Sequence, residues 1–133
     1  MIIFLEKNTM ISRILFILIS IEIFYFSSLT SPPGGQKFLL IPITYHFVVF
    51  FLFSFLLILS INGKDKLKKR YLLITLITSI SYAFLDEFHQ SFIPGRNAGL
   101  QDIITDSAGI IFGIFIYSIT KLKKTNKPNS IKK

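Results

Sequence analysis

The chain has 133 residues, 51% of them hydrophobic, with a mean hydropathy of +0.60, and it carries 15 Lys+Arg against 7 Asp+Glu for a net charge of +8. Such hydropathy excludes an ordinary soluble domain, and apolar residues gathered into four long blocks make the basic surplus a matter of membrane topology rather than nucleic-acid binding. Disulfides and thiolate–metal sites are excluded because there is no cysteine.

A bilayer core of about 30 Å asks for about 20 helical residues. The first segment of that length is Ile11 to Leu29, closed by Thr30-Ser31-Pro32-Pro33-Gly34-Gly35, which cannot continue a helix. Glu22 within this run predicts a retained helix rather than a cleaved signal peptide. The second segment runs from Pro42, tolerated in a first helical turn, to Ile61, and Asn62-Gly63 with the basic run through Arg70 ends it. The third extends from Tyr71 to Gln90, before the turn chemistry of Pro94-Gly95, and the fourth from Asp102 to Thr120. Lys121 to Lys133 contains six lysines and reads as a disordered basic tail. The predicted fold class is an all-α membrane protein: one domain over residues 1–120 with four transmembrane helices in a small bundle.

Basic residues in short loops set orientation. With the amino terminus inside, Lys7, Arg13, the run Lys64 to Arg70 and the tail are cytoplasmic, leaving only Lys37 and Arg96 outside. Both termini of this multi-pass cell-membrane protein are therefore expected in the cytoplasm. Tyr71 and Tyr117 then fall near the inner interface, and Tyr25, Tyr45 and Tyr82 towards the outer half. The basic loop and tail are explained by topology before any role in holding anionic lipid.

Ionisable side chains inside a bilayer are costly and usually face the bundle interior. Here Glu22, His46, the group Asp86, Glu87, His89 and Gln90, and the pair Asp102 and Asp106 all fall in the outer half, with no acidic residue or histidine in the inner halves of the spans. Asp102, Asp106, Gly109 and Gly113 form one helical stripe that begins acidic and becomes small; Ser79, Tyr82, Asp86 and His89 or Gln90 form another, expected to face it. Glu87 and Gln90 stand at i, i+3, and Arg96 is the one basic residue placed to pair with these carboxylates.

At Asp86-Glu87-Phe88-His89-Gln90-Ser91-Phe92-Ile93-Pro94-Gly95-Arg96, followed by Asp102, Asp106, Gly109 and Gly113, the chain closely resembles the VanZ-like family. That family is named for an accessory protein of glycopeptide-resistance clusters associated with low-level teicoplanin resistance. Phe26-Ser27-Ser28 and His46-Phe47 add to the resemblance, the latter similar to a Lys-x-x-His-Phe element, although Ile43 stands at the Lys position and Phe50 where Tyr is frequent. The resemblance implies a small integral membrane protein with a cell-envelope or antibiotic-resistance role. It carries over Ser28, His46, Glu87, Gln90, Arg96, Asp102 and Asp106 as site positions.

Three functions are open at this point. Ser28, Asp86, Gln90, Arg96, Asp102 and Asp106 could bind the headgroup of an outer-leaflet lipid or amphiphile, Arg96 taking an anionic group and the aspartates an amine, hydroxyls or a cation. Glu87 with His46 could perform acid–base catalysis, whereas no nucleophile elbow or zincin motif is present and Ser27 and Ser28 are weak nucleophile candidates. The imidazoles and carboxylates could also hold a divalent metal. Expected partners are membrane lipids and such an amphiphile, without nucleic acid; cofactor, reaction and oligomeric state are left open.

Overall fold

The computed structural model describes residues 2–30, 40–96 and 99–125. Five helices follow in chain order: α1 (Ile2–Lys7), α2 (Thr9–Ser27), α3 (Leu40–Asn62), α4 (Lys69–Gln90) and α5 (Leu100–Thr125). No strand occurs among the described residues, and α2, α3, α4 and α5 are each long and apolar enough to cross a membrane. Their bounds agree with the four predicted spans to within about two residues, the usual uncertainty of a helix end, except at the end of α5. Most of the expected break after α2, residues 31–39, lies outside the described residues, as do residues 97–98 and 126–133.

α3 is the central helix. Its apolar window is 56% buried inside the protein, against 11% for α2 and 28% for both α4 and α5. It packs on all three other spans, while α2 and α5 do not touch each other. The tightest pair is α3 with α5, which are distant in the chain and run parallel. Gly109 lies against the backbone of Phe47 and Phe51, and a Cβ at Gly113 would stand 2.7 Å from Phe51 O, so only glycine lets the two backbones approach this closely. The small end of the predicted stripe on α5 thus faces α3, not α4.

One core cluster joins Ile23, Val49, Phe50, Phe53, Ala83 and Ile110; a second joins Leu5, Phe55, Leu56, Ile58, Leu59 and Tyr117. Phe53 stacks on Tyr82 with ring centroids 4.6 Å apart, and Tyr82 OH donates to Ser20 O at 2.8 Å, tying α4 to α2. Tyr82 therefore points into the helix packing and not towards the acid cluster, and Tyr117 is fully buried among the helices. The outward faces carry Ile17, Ile21, Ile77, Leu85, Ile111 and Phe115, all exposed, which suits contact with lipid chains and not with water.

Two features at the end where α1, the α3–α4 loop and α5 meet were not anticipated. Asn8 leaves helical geometry (φ −114°, ψ 69°), so α1 is a separate short helix that folds Leu5 into the second core cluster. The first residues expected in the basic tail, Lys121 to Thr125, are also helical and belong to α5. Lys121 has partners: its Nζ lies 2.9 Å from Glu6 Oε1 and donates to Gly63 O at 2.7 Å and Asp65 O at 3.1 Å. In the loop itself, Lys68 Nζ sits 2.7 Å from Asp65 Oδ2 and holds that carboxyl below the usual carboxylate range.

Candidate functional site: four helix ends around a carboxylate–histidine cluster

At the opposite end, α2 and α4 finish where α3 and α5 begin. The turn that returns the chain from α4 follows from Pro94-Gly95: Gly95 takes φ 78° and Arg96 N donates to Ile93 O at 3.1 Å, a turn whose third position favours glycine. This brings the last turn of α4 beside the first turns of α5.

The polar residues divide into two groups. In the first, Asp86 is buried with both oxygens engaged: Ser27 Oγ donates to Oδ1 at 2.6 Å and Gln90 Nε2 to Oδ2 at 2.8 Å. Gln90 thus pairs with Asp86 one turn back rather than with Glu87. Ser27, one residue from the position carried over from the resemblance, is the serine that enters this network. Ser28 Oγ instead donates to Phe24 O at 2.7 Å and lies 3.0 Å from His89 Nε2, with His89 stacked on Phe24.

The second group is only partly satisfied. His46 Nδ1 on α3 is 2.9 Å from Asp106 Oδ1 on α5, a hydrogen-bond distance. Glu87 on α4 accepts from Gly99 N–H at 3.0 Å through Oε2. Glu87 Oε1 and Asp106 Oδ2 are buried without a hydrogen-bond partner. His46, Glu87 and Asp106 are 6%, 4% and 0% exposed, and each offers a ligand atom within 4.8 Å of the others. Asp102 lies in the first turn of α5, where a carboxylate suits the positive end of the helix dipole.

Arg96 does not pair with the carboxylates as expected. Its Nε donates to Leu29 O at 3.0 Å and its terminal nitrogen to Phe26 O, so the guanidinium caps the carbonyl end of α2. That role requires α2 and the α4–α5 turn to be neighbours, which no local spacing announces. Glu22 likewise finds its partner across the bundle, accepting from Tyr45 OH at 2.9 Å.

A cavity of about 10 Å³, room for one water, lies among Ser27, Tyr45, His46, Asp86, Gln90 and Arg96. An apolar groove of about 480 Å³ runs alongside Ile41, Thr44, Tyr45 and Val48, and Tyr45 lines both. The arrangement can accept hydrogen bonds from an amine or hydroxyl, pass a proton along His46–Asp106, or bind a cation.

No curated protein and no solved structure matches the chain. A family model described as VanZ/LLP1 matches residues 6–121, a stretch that takes in three spans whole, the fourth as far as Lys121, and every residue of the cluster. The chain is a four-span helical membrane protein and belongs to the VanZ/LLP1 family.

Proposed function

We propose that the protein recognises the amine- or hydroxyl-bearing headgroup of a cell-envelope amphiphile at the outer leaflet. The observation that supports this most is the pair of unpartnered buried oxygens, Glu87 Oε1 and Asp106 Oδ2, at the same end of the bundle as the apolar groove that Tyr45 borders. An acyl chain along Ile41, Thr44 and Val48 would bring its headgroup to Tyr45, and the two oxygens would accept its donors. A bare phosphate is disfavoured, since Arg96 is engaged by α2 carbonyls and Asp86, Glu87, Asp102 and Asp106 surround the site. A second reading, catalysis with Glu87 as acid or base and His46 as its partner, is supported by the His46–Asp106 contact, which would orient the imidazole. By family analogy the process served is tolerance to glycopeptides such as teicoplanin.

The proposed topology sets both termini in the cytoplasm and the cluster outside, supported by 13 of 15 basic residues falling at the other end or in the tail. Cysteines introduced at Lys66 and Phe92 should then react with an impermeant maleimide from opposite sides; labelling of Lys66→Cys in intact cells would reverse the assignment. For the ligand, native mass spectrometry of the detergent-purified protein with lipid analysis should detect a bound amphiphile that is lost in Glu87→Gln and Asp106→Asn. Identical spectra with no bound species would refute headgroup recognition.

A further inference from the structure

We infer that His46, Glu87 and Asp106 form a binding site for a divalent transition-metal cation, with zinc or manganese as the fitting class. Three helices deliver the ligands, one each from α3, α4 and α5, and their donor atoms lie within 4.8 Å of one another. Atoms that all sit about 2.0–2.4 Å from one ion are separated by no more than about 4.8 Å, a bound that all three pairs of donor atoms meet.

The second observation is the charge balance. Glu87 Oε1 and Asp106 Oδ2 are buried and unpartnered, and among the described residues His46 is the only basic side chain bonded to either carboxylate. Arg96, the one Lys or Arg at this end of the bundle among the described residues, is held by Phe26 O and Leu29 O. A divalent ion would neutralise the two carboxylates beside a neutral imidazole and would also occupy both free oxygens. One nitrogen and two oxygen donors favour zinc or manganese over calcium or magnesium, which take oxygen almost exclusively. Three protein ligands leave coordination positions open, and a headgroup hydroxyl or amine could fill one. In that respect the inference rests on the proposed headgroup reading, but the ion itself can be detected without any amphiphile.

The neighbouring contacts suit such a site. Gly99 N–H fixes Glu87 through the oxygen that is not free, and the Ser27–Asp86–Gln90 network stiffens the turn of α4 that carries Glu87. Partners of this kind orient ligands before the metal arrives.

The test uses the full chain in detergent, with any affinity tag removed, stripped by chelator and then titrated with Zn²⁺ and separately with Mn²⁺. Metal content after gel filtration and the shift in thermal unfolding are both read. One ion per chain is expected, with His46→Asn, Glu87→Gln and Asp106→Asn each weakening binding by more than about tenfold, since even outer-shell losses cost that much. Glu87→Gln and Asp106→Asn keep the size of the side chain and an oxygen that can accept the hydrogen bond from Gly99 N–H or His46, so both should stay folded; their retained helicity by circular dichroism separates loss of metal from loss of fold. Stoichiometry well below one for both ions, or uptake unchanged in the variants, would overturn the site. An amphiphile still captured by a protein that takes up no metal would leave headgroup recognition standing alone, whereas metal uptake without amphiphile would leave only the ion.

Discussion

Replacing Lys121 by Met tests whether the helical continuation of α5 is held by a buried ion pair. Glu6 is 2% exposed and Lys121 5%, and the ammonium also satisfies Gly63 O and Asp65 O. Methionine keeps the length and apolar stem but removes the charge and three donors, breaking the ion pair with Glu6 and both carbonyl contacts. Breaking one side of a buried pair costs about 3–5 kcal/mol, and at about 1.4 kcal/mol per tenfold that is two to three and a half decades in the folding equilibrium. The double change Glu6→Leu with Lys121→Met removes both charges, and such replacements return to within about 1 kcal/mol of the parent or exceed it. Unfolding by SDS in mixed micelles, followed by far-ultraviolet circular dichroism because the chain has no Trp, measures both. A cost below about 1 kcal/mol for Lys121→Met would refute the reasoning, since it would place the pair among surface bridges.

Three further outcomes follow from the packing. Gly109→Val should separate α3 from α5 and destabilise by at least about 1–3 kcal/mol in the same assay, because the added carbons meet backbone of Phe47 and Phe51 that cannot rotate away. Ser27→Ala should cost about 1–3 kcal/mol by stranding Asp86 Oδ1, with Ser28→Ala clearly milder; the reverse order would reassign the serine of the network. Lys68→Ala should leave stability unchanged but raise the Asp65 pKa in an NMR titration, since the neighbouring ammonium is what depresses it. The sign is that of a lowered carboxylate: any stabilisation by this pair is present above the unfolded-state pKa of Asp65 and fades as pH falls through the folded-state value.

Hydropathy and length, which are local properties, were enough to identify the four spans, the Pro94-Gly95 turn and the accumulation of ionisable residues at the shared end of the helices. Spacing along α5 also showed that Asp102, Asp106, Gly109 and Gly113 share a face, because 3.6 residues per turn is a property of the backbone alone. It could not show which helix that face meets. The contacts His46–Asp106, Ser27–Asp86 and Lys121–Gly63 join residues 58 to 60 positions apart, and they exist only once α3 occupies the centre and α2 and α5 lie apart from each other. Ser27 and Ser28 are equivalent in a sequence but about 100° apart around a helix, so rotation of α2 in the bundle decided which one reaches Asp86. Arg96 looked like a partner for carboxylates because charge is visible in sequence, whereas the unsatisfied carbonyls of α2 that take it become visible only where a helix ends beside it. Composition therefore determined that this is a membrane bundle with an acidic end. Tertiary packing decided which oxygens of those acids are satisfied and which, on Glu22, Glu87 and Asp106, are buried without a partner, because hydrogen bonds between helices depend on rotation and depth that no single segment encodes.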